Sequence, residues 1–487
     1  MKNPRLERRA YLLGIAYAVD FGVQFLLPVV LARVLDVESF GKYRLLWLAV
    51  LTMVPLTTLG MSASLYYFLP RSDAAHKRLY INQTLLFLCM TSLISAWVLS
   101  PLDPWRPVSV RGLSEPDFIL PLFAFLWTLA SLLDLLPVIE ERIKWQAKLI
   151  VGLSVLRAAA LSVVAIATGE LQPVFLTLLG FVLFKLWLLL SYIARHHGLS
   201  RPVLRWPLFL GQMRHAVPIG LSGALYGLRG QADQWIAAAL FSIAMFASFS
   251  VAAVISPLIY LCRQSVNQVF LPSMSRLEAG GDMKGMLSLN SRANVMVGTL
   301  AYPLLAFAFA FANDIISLIY TPVYLEAAPV MRVYVVGMVA LVVELSSVML
   351  LLKQGPFAMR VNAMLLAFSV AVSWQAAHHF GLPGAAVGSV LAVYGDRFLT
   401  LRRISMHTGI AVSRMQDWRS LGMLLLTAVV SMLVVWALVH GQLADRKPIV
   451  RLAVATPLMA VVYLGLFAIL NREALLIALR RRREGSA

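Results

Sequence analysis

Apolar blocks of about 20 residues alternate with short polar segments along almost the whole chain. A helix needs about 20 apolar residues to cross about 30 Å of hydrocarbon, because each residue adds about 1.5 Å. The pattern therefore predicts an all-α polytopic membrane protein with about 14 transmembrane helices. We place these helices at residues 11–33, 45–69, 80–100, 118–140, 149–168, 171–193, 216–240, 246–271, 294–319, 328–352, 360–379, 383–401, 420–440 and 449–470.

Two pairs of these helices are separated by very short turns. Gly169-Glu170 separates the fifth helix from the sixth, and Gly381-Leu382 separates the eleventh from the twelfth. So short a connection allows only an antiparallel return, so we expect two tight helical hairpins.

The distribution of Lys and Arg predicts the orientation. Of 42 such residues, 29 fall in the segments that are inside if both termini are inside, 9 fall in the opposite segments, and 4 lie within spans. Basic residues accumulate in cytoplasmic loops, so this bias predicts an N-in, C-in topology. The same bias accounts for the net charge of +19 without a nucleic-acid partner.

The composition excludes a large soluble domain. Hydrophobic residues make up 60% of the chain and charged residues 13%, against about 45–50% and about 25% in soluble domains. The loops are short, and the longest outer loop, at about residues 101–117, contains no paired carboxylates typical of glycan chemistry. We therefore expect no enzyme activity, no cofactor and no metal site.

An internal repeat divides the predicted helices. Residues 33–43 align with residues 239–249, so that Phe40 matches Phe246, and Phe68-Leu-Pro70 recurs as Phe270-Leu-Pro272. Six spans separate the copies, which gives two parallel six-helix lobes followed by two further helices. The predicted domains are 1–200, 201–410 and 411–487. Transporters with two such lobes bind their substrate between them near the membrane midplane.

Several ionisable residues fall within the predicted spans. Such residues are costly in hydrocarbon and usually face a bundle interior or a wet cavity. The cations are Arg157, Lys185, Arg229 and Arg263, and the anions are Asp20, Asp134, Asp233 and Glu344. We interpret the four cations as a binding site for an anionic substrate, because Arg and Lys match phosphate.

Simpler interpretations stay open for some of these residues. Arg229 and Asp233 are four residues apart on one helix and can pair with each other. Arg263 and Lys185 can extend to the lipid headgroups. Asp134 lies near the inner surface, where it can line an exit. Arg157 is the hardest to explain in this way, because small residues surround it in the sequence, as at a cavity wall.

Three segments carry a resemblance to a known family. They are Leu31-Ala-Arg-Val-Leu-Asp-Val-Glu-Ser-Phe-Gly-Lys-Tyr43; Ala216-Val-Pro-Ile-Gly220 with Asp233-Gln-Trp235 and Phe270-Leu-Pro-Ser-Met-Ser-Arg276; and Gly381-Leu-Pro-Gly-Ala-Ala-Val-Gly388. In this order the chain resembles the oligosaccharide (polysaccharide) flippases, similar to O-antigen flippases, of the multidrug/oligosaccharidyl-lipid/polysaccharide exporter superfamily. Asp36 and Val37 stand where the family usually has Gly-Pro.

The resemblance implies a flippase of the bacterial cytoplasmic (inner) membrane. The substrate would be an undecaprenyl-pyrophosphate-linked oligosaccharide, moved from the inner to the outer leaflet by alternating access through a cationic cavity, for surface polysaccharide export. The implied partners are this substrate, membrane lipids, and polysaccharide polymerase or co-polymerase proteins. A lipid II flippase is a possible subtype.

Two alternatives remain open. A multidrug or small-solute exporter of the same superfamily should have carboxylates and aromatic residues in its cavity instead of Arg. A membrane glycan polymerase or ligase is a different class and usually has a large outer loop. The sequence has no G-x-x-x-x-G-K-[ST] motif for a nucleotide, so we expect Asp20, Asp233 and Glu344 to couple transport to an ion or proton gradient.

Overall fold

The computed structural model describes residues 4–103, 118–197 and 204–470, and every regular element within these ranges is helical. Most of the predicted outer loop and the basic C-terminal tail lie outside the described residues. The helices are α1 Pro4–Val34, α2 Val37–Thr58, α3 Met61–Phe68, α4 Ala74–Leu99, α5 Ile119–Ala130, α6 Leu136–Ile139, α7 Ile143–Thr168, α8 Leu171–His196, α9 Trp206–Leu240, α10 Ile243–Val251, α11 Ser256–Ala279, α12 Met283–Ala310, α13 Ala312–Ile319, α14 Ala327–Leu341, α15 Ser346–Leu351, α16 Gly355–Phe380, α17 Leu382–Thr408, α18 Trp418–Leu443 and α19 Pro448–Leu470.

The prediction of an all-α membrane protein is confirmed, and all fourteen predicted segments fall on helices. Among the described residues, ten helices are long and apolar enough to cross a membrane, and the number is eleven if α2 and α3, which are bent by 47° at the break between them, are counted together as one span. The apolar pattern did not indicate the breaks within spans. For example, the predicted helix 328–352 consists of α14 and α15 with an irregular segment between them.

Side-chain caps fix where several helices begin. Asp36, Asp73, Asp282 and Asp417 each accept a hydrogen bond from the backbone N–H three residues later, at 2.8–3.0 Å. An aspartate at this position satisfies a backbone donor that the first helical turn leaves unpaired. Each of these four aspartates therefore caps the N-terminus of the helix that follows it.

Both predicted hairpins are present, and the second shows why its glycines are needed. In α17, a side chain on Gly384 would place its Cβ atom 2.1 Å from the carbonyl oxygen of Ala376, and one on Gly388 would place it 2.3 Å from that of Ser369. Two glycines four residues apart let the α16 and α17 backbones touch, as in other membrane helix pairs. The Gly381–Gly388 motif therefore encodes close packing between these helices.

The contacts within the chain divide it into two compact units, Met1–Ala247 and Ser248–Ala487. The predicted domains 1–200, 201–410 and 411–487 stay a prediction.

In the first unit, α9 packs along α2, α3 and α4 through buried polar contacts. Gln212 donates hydrogen bonds to Ser64 at 2.8 Å and Thr84 at 2.9 Å, and accepts one from Gln83 at 2.7 Å. All four side chains are buried. Each of these side chains has a partner in the cluster, so the cluster holds α9 in one register on its neighbours.

In the second unit, three buried amide side chains link α12 to the segments around it. Asn294 donates to Gln416 at 3.0 Å, and Gln416 donates to Asn290 at 2.9 Å. Asn290 also donates to the backbone oxygen of Glu344 at 3.0 Å. This network fixes the irregular segment between α14 and α15 against α12.

Candidate functional site

A cavity of about 250 Å³ lies inside the first unit, among α1, α5, α7 and α8. Most of its wall comes from helices that the sequence predicts to cross the membrane. The lining residues with polar or aromatic side chains are Tyr17, Asp20, Gln24, Trp127, Asp134, Gln146, Ser154, Arg157, Phe181 and Lys185. Three of the predicted site residues, Asp20, Arg157 and Lys185, therefore meet at one cavity.

Lys185 in α8 forms an ion pair at this cavity. Its Nζ atom donates a hydrogen bond to Oδ2 of Asp134 at 2.7 Å and lies 4.8 Å from the centre of the Trp127 ring. The Lys185 side chain is only 6% exposed, whereas that of Asp134 is 51% exposed. The lysine is thus buried in the cavity wall, whereas its counterion Asp134 is accessible.

Arg157 in α7 presents a different environment. Its guanidinium lies 5.6 Å from the centre of the Trp47 ring, and its Nε atom is buried without a hydrogen-bond partner among the residues that the structure describes. Trp47 packs edge-on against Phe123 and Trp127, so a rigid aromatic cluster positions the guanidinium. Since the Nε atom is buried, a ligand in the cavity would meet the terminal guanidinium nitrogens of Arg157.

Asp20 in α1 is held by two neutral donors. Gln24, one helical turn later, donates to Asp20 Oδ2 at 2.7 Å, and the Ser154 hydroxyl of α7 donates to Asp20 Oδ1. The charged side chains that line the cavity are therefore two carboxylates and two cations. Their formal charges cancel, and the cationic central cavity implied by the family resemblance stays a prediction.

Arg229 and Asp233 lie on α9 and do not line this cavity. The Arg229 guanidinium lies 5.6 Å from the centre of the Tyr226 ring, and Asp233 is buried, with its Oδ1 atom accepting a hydrogen bond from the backbone N–H of Gln234 at 2.8 Å. Their roles in substrate binding and coupling stay predictions.

Arg263 and Glu344 belong to the second unit. Arg263 is half-buried on α11, and its Nε atom has no hydrogen-bond partner among the described residues. Glu344 is buried in the break before α15, where Oε1 accepts hydrogen bonds from the backbone N–H groups of Ser346 at 2.8 Å and Ser347 at 3.3 Å. Glu344 therefore caps α15, a structural role that the sequence did not indicate.

The described residues contain no group of three or more His, Cys, Asp or Glu side chains that could hold a metal ion. What the cavity offers a ligand is therefore charge and hydrogen bonds from Arg157 and Lys185, next to the faces of Trp47 and Trp127. Such a site can bind an anion, or a group that combines an anion with an apolar body.

Solved structures identify the fold. The chain is similar to the lipid II flippase MurJ in an inward closed conformation, with a TM-score of 0.73, 13% identity, and coverage of 96% of this chain and 100% of that one. It is also similar to a multidrug resistance MATE family transporter of the MOP superfamily in an inward-facing conformation, with a TM-score of 0.52, 13% identity, and coverage of 81% and 94%. A third match is a mutant of the MATE transporter VcmN of Vibrio cholerae, with a TM-score of 0.51, 16% identity, and coverage of 84% and 99%.

The protein is thus a multi-pass α-helical membrane protein with the fold of these transporters. A family model described as polysaccharide biosynthesis protein matches residues 7–278, more than half of the 487 residues, and the chain belongs to that family. This confirms the resemblance found in the sequence. No curated protein sequence matches the chain.

Proposed function

We propose that this protein is a flippase that moves an undecaprenyl-pyrophosphate-linked oligosaccharide from the inner to the outer leaflet of the bacterial cytoplasmic membrane by alternating access. Membership of the polysaccharide biosynthesis family supports a role in surface polysaccharide export. The fold, similar to that of a lipid II flippase, supports transport of a lipid-linked substrate instead of a catalytic step.

The observation that carries the proposal is the environment of Arg157. A guanidinium inside the hydrocarbon region is costly unless a partner or water neutralises it, and Arg157 lines the cavity with no ion pair among the described residues. A pyrophosphate supplies the missing anion and accepts two parallel hydrogen bonds. Lys185 contributes a second charge, and Arg229 and Arg263 stay further candidates for binding the substrate.

The topology and partners follow from the same proposal. Both termini are cytoplasmic, and the protein works with membrane lipids and with polysaccharide polymerase or co-polymerase proteins. Of the three carboxylates predicted to couple transport to a gradient, Asp20 has the best support, because it lines the cavity that contains Arg157 and Lys185. Asp233 remains a further candidate, and Glu344 has less support because its carboxylate caps α15.

The test is transport in vesicles containing only this protein. Undecaprenyl-pyrophosphoryl N-acetylglucosamine is placed in one leaflet, and its arrival in the other is measured by the access of a galactosyltransferase to the sugar. We expect movement that depends on the protein and on Arg157. Equal rates in vesicles with and without protein would overturn the proposal.

One observation favours a multidrug exporter as the second candidate. The cavity contains Asp20 and Asp134 beside the aromatic rings of Tyr17 and Trp127, and carboxylates with aromatic rings suit cationic drugs. Ethidium efflux from the same vesicles distinguishes the two functions. Ethidium transport without movement of the lipid-linked sugar would favour the exporter.

A further inference from the structure

The ion pair between Lys185 and Asp134 has a consequence for the transport cycle. The lysine is buried in the cavity wall, and Asp134 stands over it with half of its side chain exposed. Any phosphate that binds Lys185 must therefore approach from the side that Asp134 occupies. Since Lys185 Nζ already donates to Asp134 Oδ2 at 2.7 Å, the substrate must compete with this carboxylate.

Asp134 has fewer partners than Asp20, the other carboxylate of the cavity. Lys185 is the only residue that binds its side chain within the described part of the chain, whereas Asp20 has two hydrogen-bond donors, Gln24 and Ser154. Asp134 also ends a 3₁₀ segment, Ser131–Asp134, that interrupts the span between α5 and α6. Such a break within a helix is a common position for local movement.

We propose that Asp134 acts as an internal substitute for the substrate's phosphate, a proposal that rests on the function proposed above. In the empty transporter Asp134 forms an ion pair with Lys185. When the substrate binds, this ion pair breaks and Lys185 pairs with the phosphate of a polyprenyl pyrophosphate. When the substrate leaves, Asp134 returns. The buried lysine is therefore paired in both the loaded and the empty state, although by different anions.

This pairing matters most for the return of the empty transporter. An uncompensated lysine in a cavity closed to water is costly, so without Asp134 the empty transporter changes conformation slowly. Exchange of one substrate molecule for another requires no empty return, because Lys185 is then paired with phosphate in both directions. Asp134 should therefore be necessary for net movement and dispensable for exchange.

The experiment compares wild type with Asp134→Asn in vesicles that carry radiolabelled undecaprenyl-pyrophosphoryl N-acetylglucosamine in one leaflet. Net movement is measured with the opposite leaflet free of substrate, and exchange is measured with excess unlabelled substrate there. For Asp134→Asn we expect net movement about tenfold slower and exchange at the wild-type rate. Binding of farnesyl pyrophosphate, measured by calorimetry, should be about fivefold tighter, because the competing carboxylate is absent.

Glu170→Gln is the control, since Glu170 is exposed in the turn between α7 and α8 and does not line the cavity. This variant should change the rate of net movement and the rate of exchange by the same factor, if it changes them at all. Asp134→Glu keeps the charge and should restore most of the net movement, and a thermal melt of each variant excludes misfolding. The inference is overturned if Asp134→Asn lowers the rates of net movement and exchange equally. It is also overturned if this variant binds farnesyl pyrophosphate no more tightly than wild type does. Wild-type protein that moves no labelled substrate in either assay refutes the proposed function, and this inference with it.

Discussion

Gly220 of α9 and Gly60, at the break between α2 and α3, bring two helix backbones into direct contact. A Cβ atom on Gly220 would lie 2.4 Å from the backbone nitrogen of Gly60 and 2.0 Å from the carbonyl carbon of Leu59. Gly60 itself has φ of 76°, a conformation that suits glycine. The last residue of the Ala216–Gly220 motif is therefore required by packing.

This contact predicts that Gly220→Ala disrupts the fold of the first unit. The obstructing atoms belong to backbone and cannot rotate away, so we expect a loss of about 3 kcal/mol or failure to accumulate in the membrane. Gly223→Ala on the same helix is the control, because nothing lies within 4 Å of its added Cβ atom. Thermal melts of the two detergent-purified variants are the measurement, and equal melting temperatures would contradict the packing account.

Arg157 provides a prediction on transport. Arg157→Ala should abolish export without changing the amount of protein in the membrane, because it removes the side chain that donates the main hydrogen bonds to the substrate's phosphate. Arg157→Lys should keep the charge but lose the paired hydrogen bonds, which lowers transport about tenfold. The measurement is movement of the lipid-linked sugar in vesicles. Arg195→Ala, an exposed change at the end of α8, is the control. Full activity of Arg157→Ala would remove this residue from the site.

Substitution of Glu344 distinguishes a structural role of this residue from a role in coupling transport to a gradient. Glu344→Gln weakens the charged cap of α15, and we expect about 1 kcal/mol lower stability with an unchanged response to a proton or sodium gradient. Asp20→Asn should reduce that response. Exposed Glu326→Gln serves as the control for stability. Glu344→Gln that melts like wild type but no longer responds to either gradient would instead make Glu344 a coupling residue.

Glu140, between α6 and α7, predicts a pH dependence of stability. Burial opposes its ionisation, but hydrogen bonds from His197 and Tyr192 and the nearby charges of His197 and Arg142 more than offset burial, so the pKa of Glu140 is lowered. A lowered pKa stabilises the fold above the pKa of the unfolded chain, about 4.3, and this contribution is lost as pH falls through the folded value.

Glu140→Gln should therefore lower the melting temperature at pH 7, and the difference from wild type should shrink below pH of about 4. The neighbouring, exposed Glu141→Gln is the matched control and should show little difference at either pH. A difference for Glu140→Gln that stays constant from neutral to acidic pH would contradict the assignment.

The orientation is tested independently of the site. Because 29 of 42 basic residues fall on one side of the predicted topology, a reporter fused after Ser486 should be cytoplasmic. A fusion at Ala444, between α18 and α19, should be on the opposite side. Both fusions reporting the same side would mean that α19, the helix between the two fusion points, does not span the membrane.

The sequence predicted the helices well because length and apolarity alone decide which segments enter a membrane. It also placed Asp20, Arg157 and Lys185 among the candidate site residues. The pairing of Lys185 with Asp134, 51 residues away, depends on how α8 packs against the break after α5, which no local pattern encodes. Likewise, the capping role of Glu344 could not be predicted, since the apolar pattern runs through the break before α15.

The cancelled charges of the cavity bear on how the membrane voltage acts on the transporter. Two carboxylates offset two cations there, so the empty cavity carries no net charge through the electric field and its reorientation requires little electrical work. Under the proposed function, the loaded cavity carries the negative charge of the pyrophosphate. Each such charge that crosses about 100 mV, negative inside, gains about 2.3 kcal/mol on moving outward. The resting voltage of the cell would then favour export of the loaded form over its re-entry.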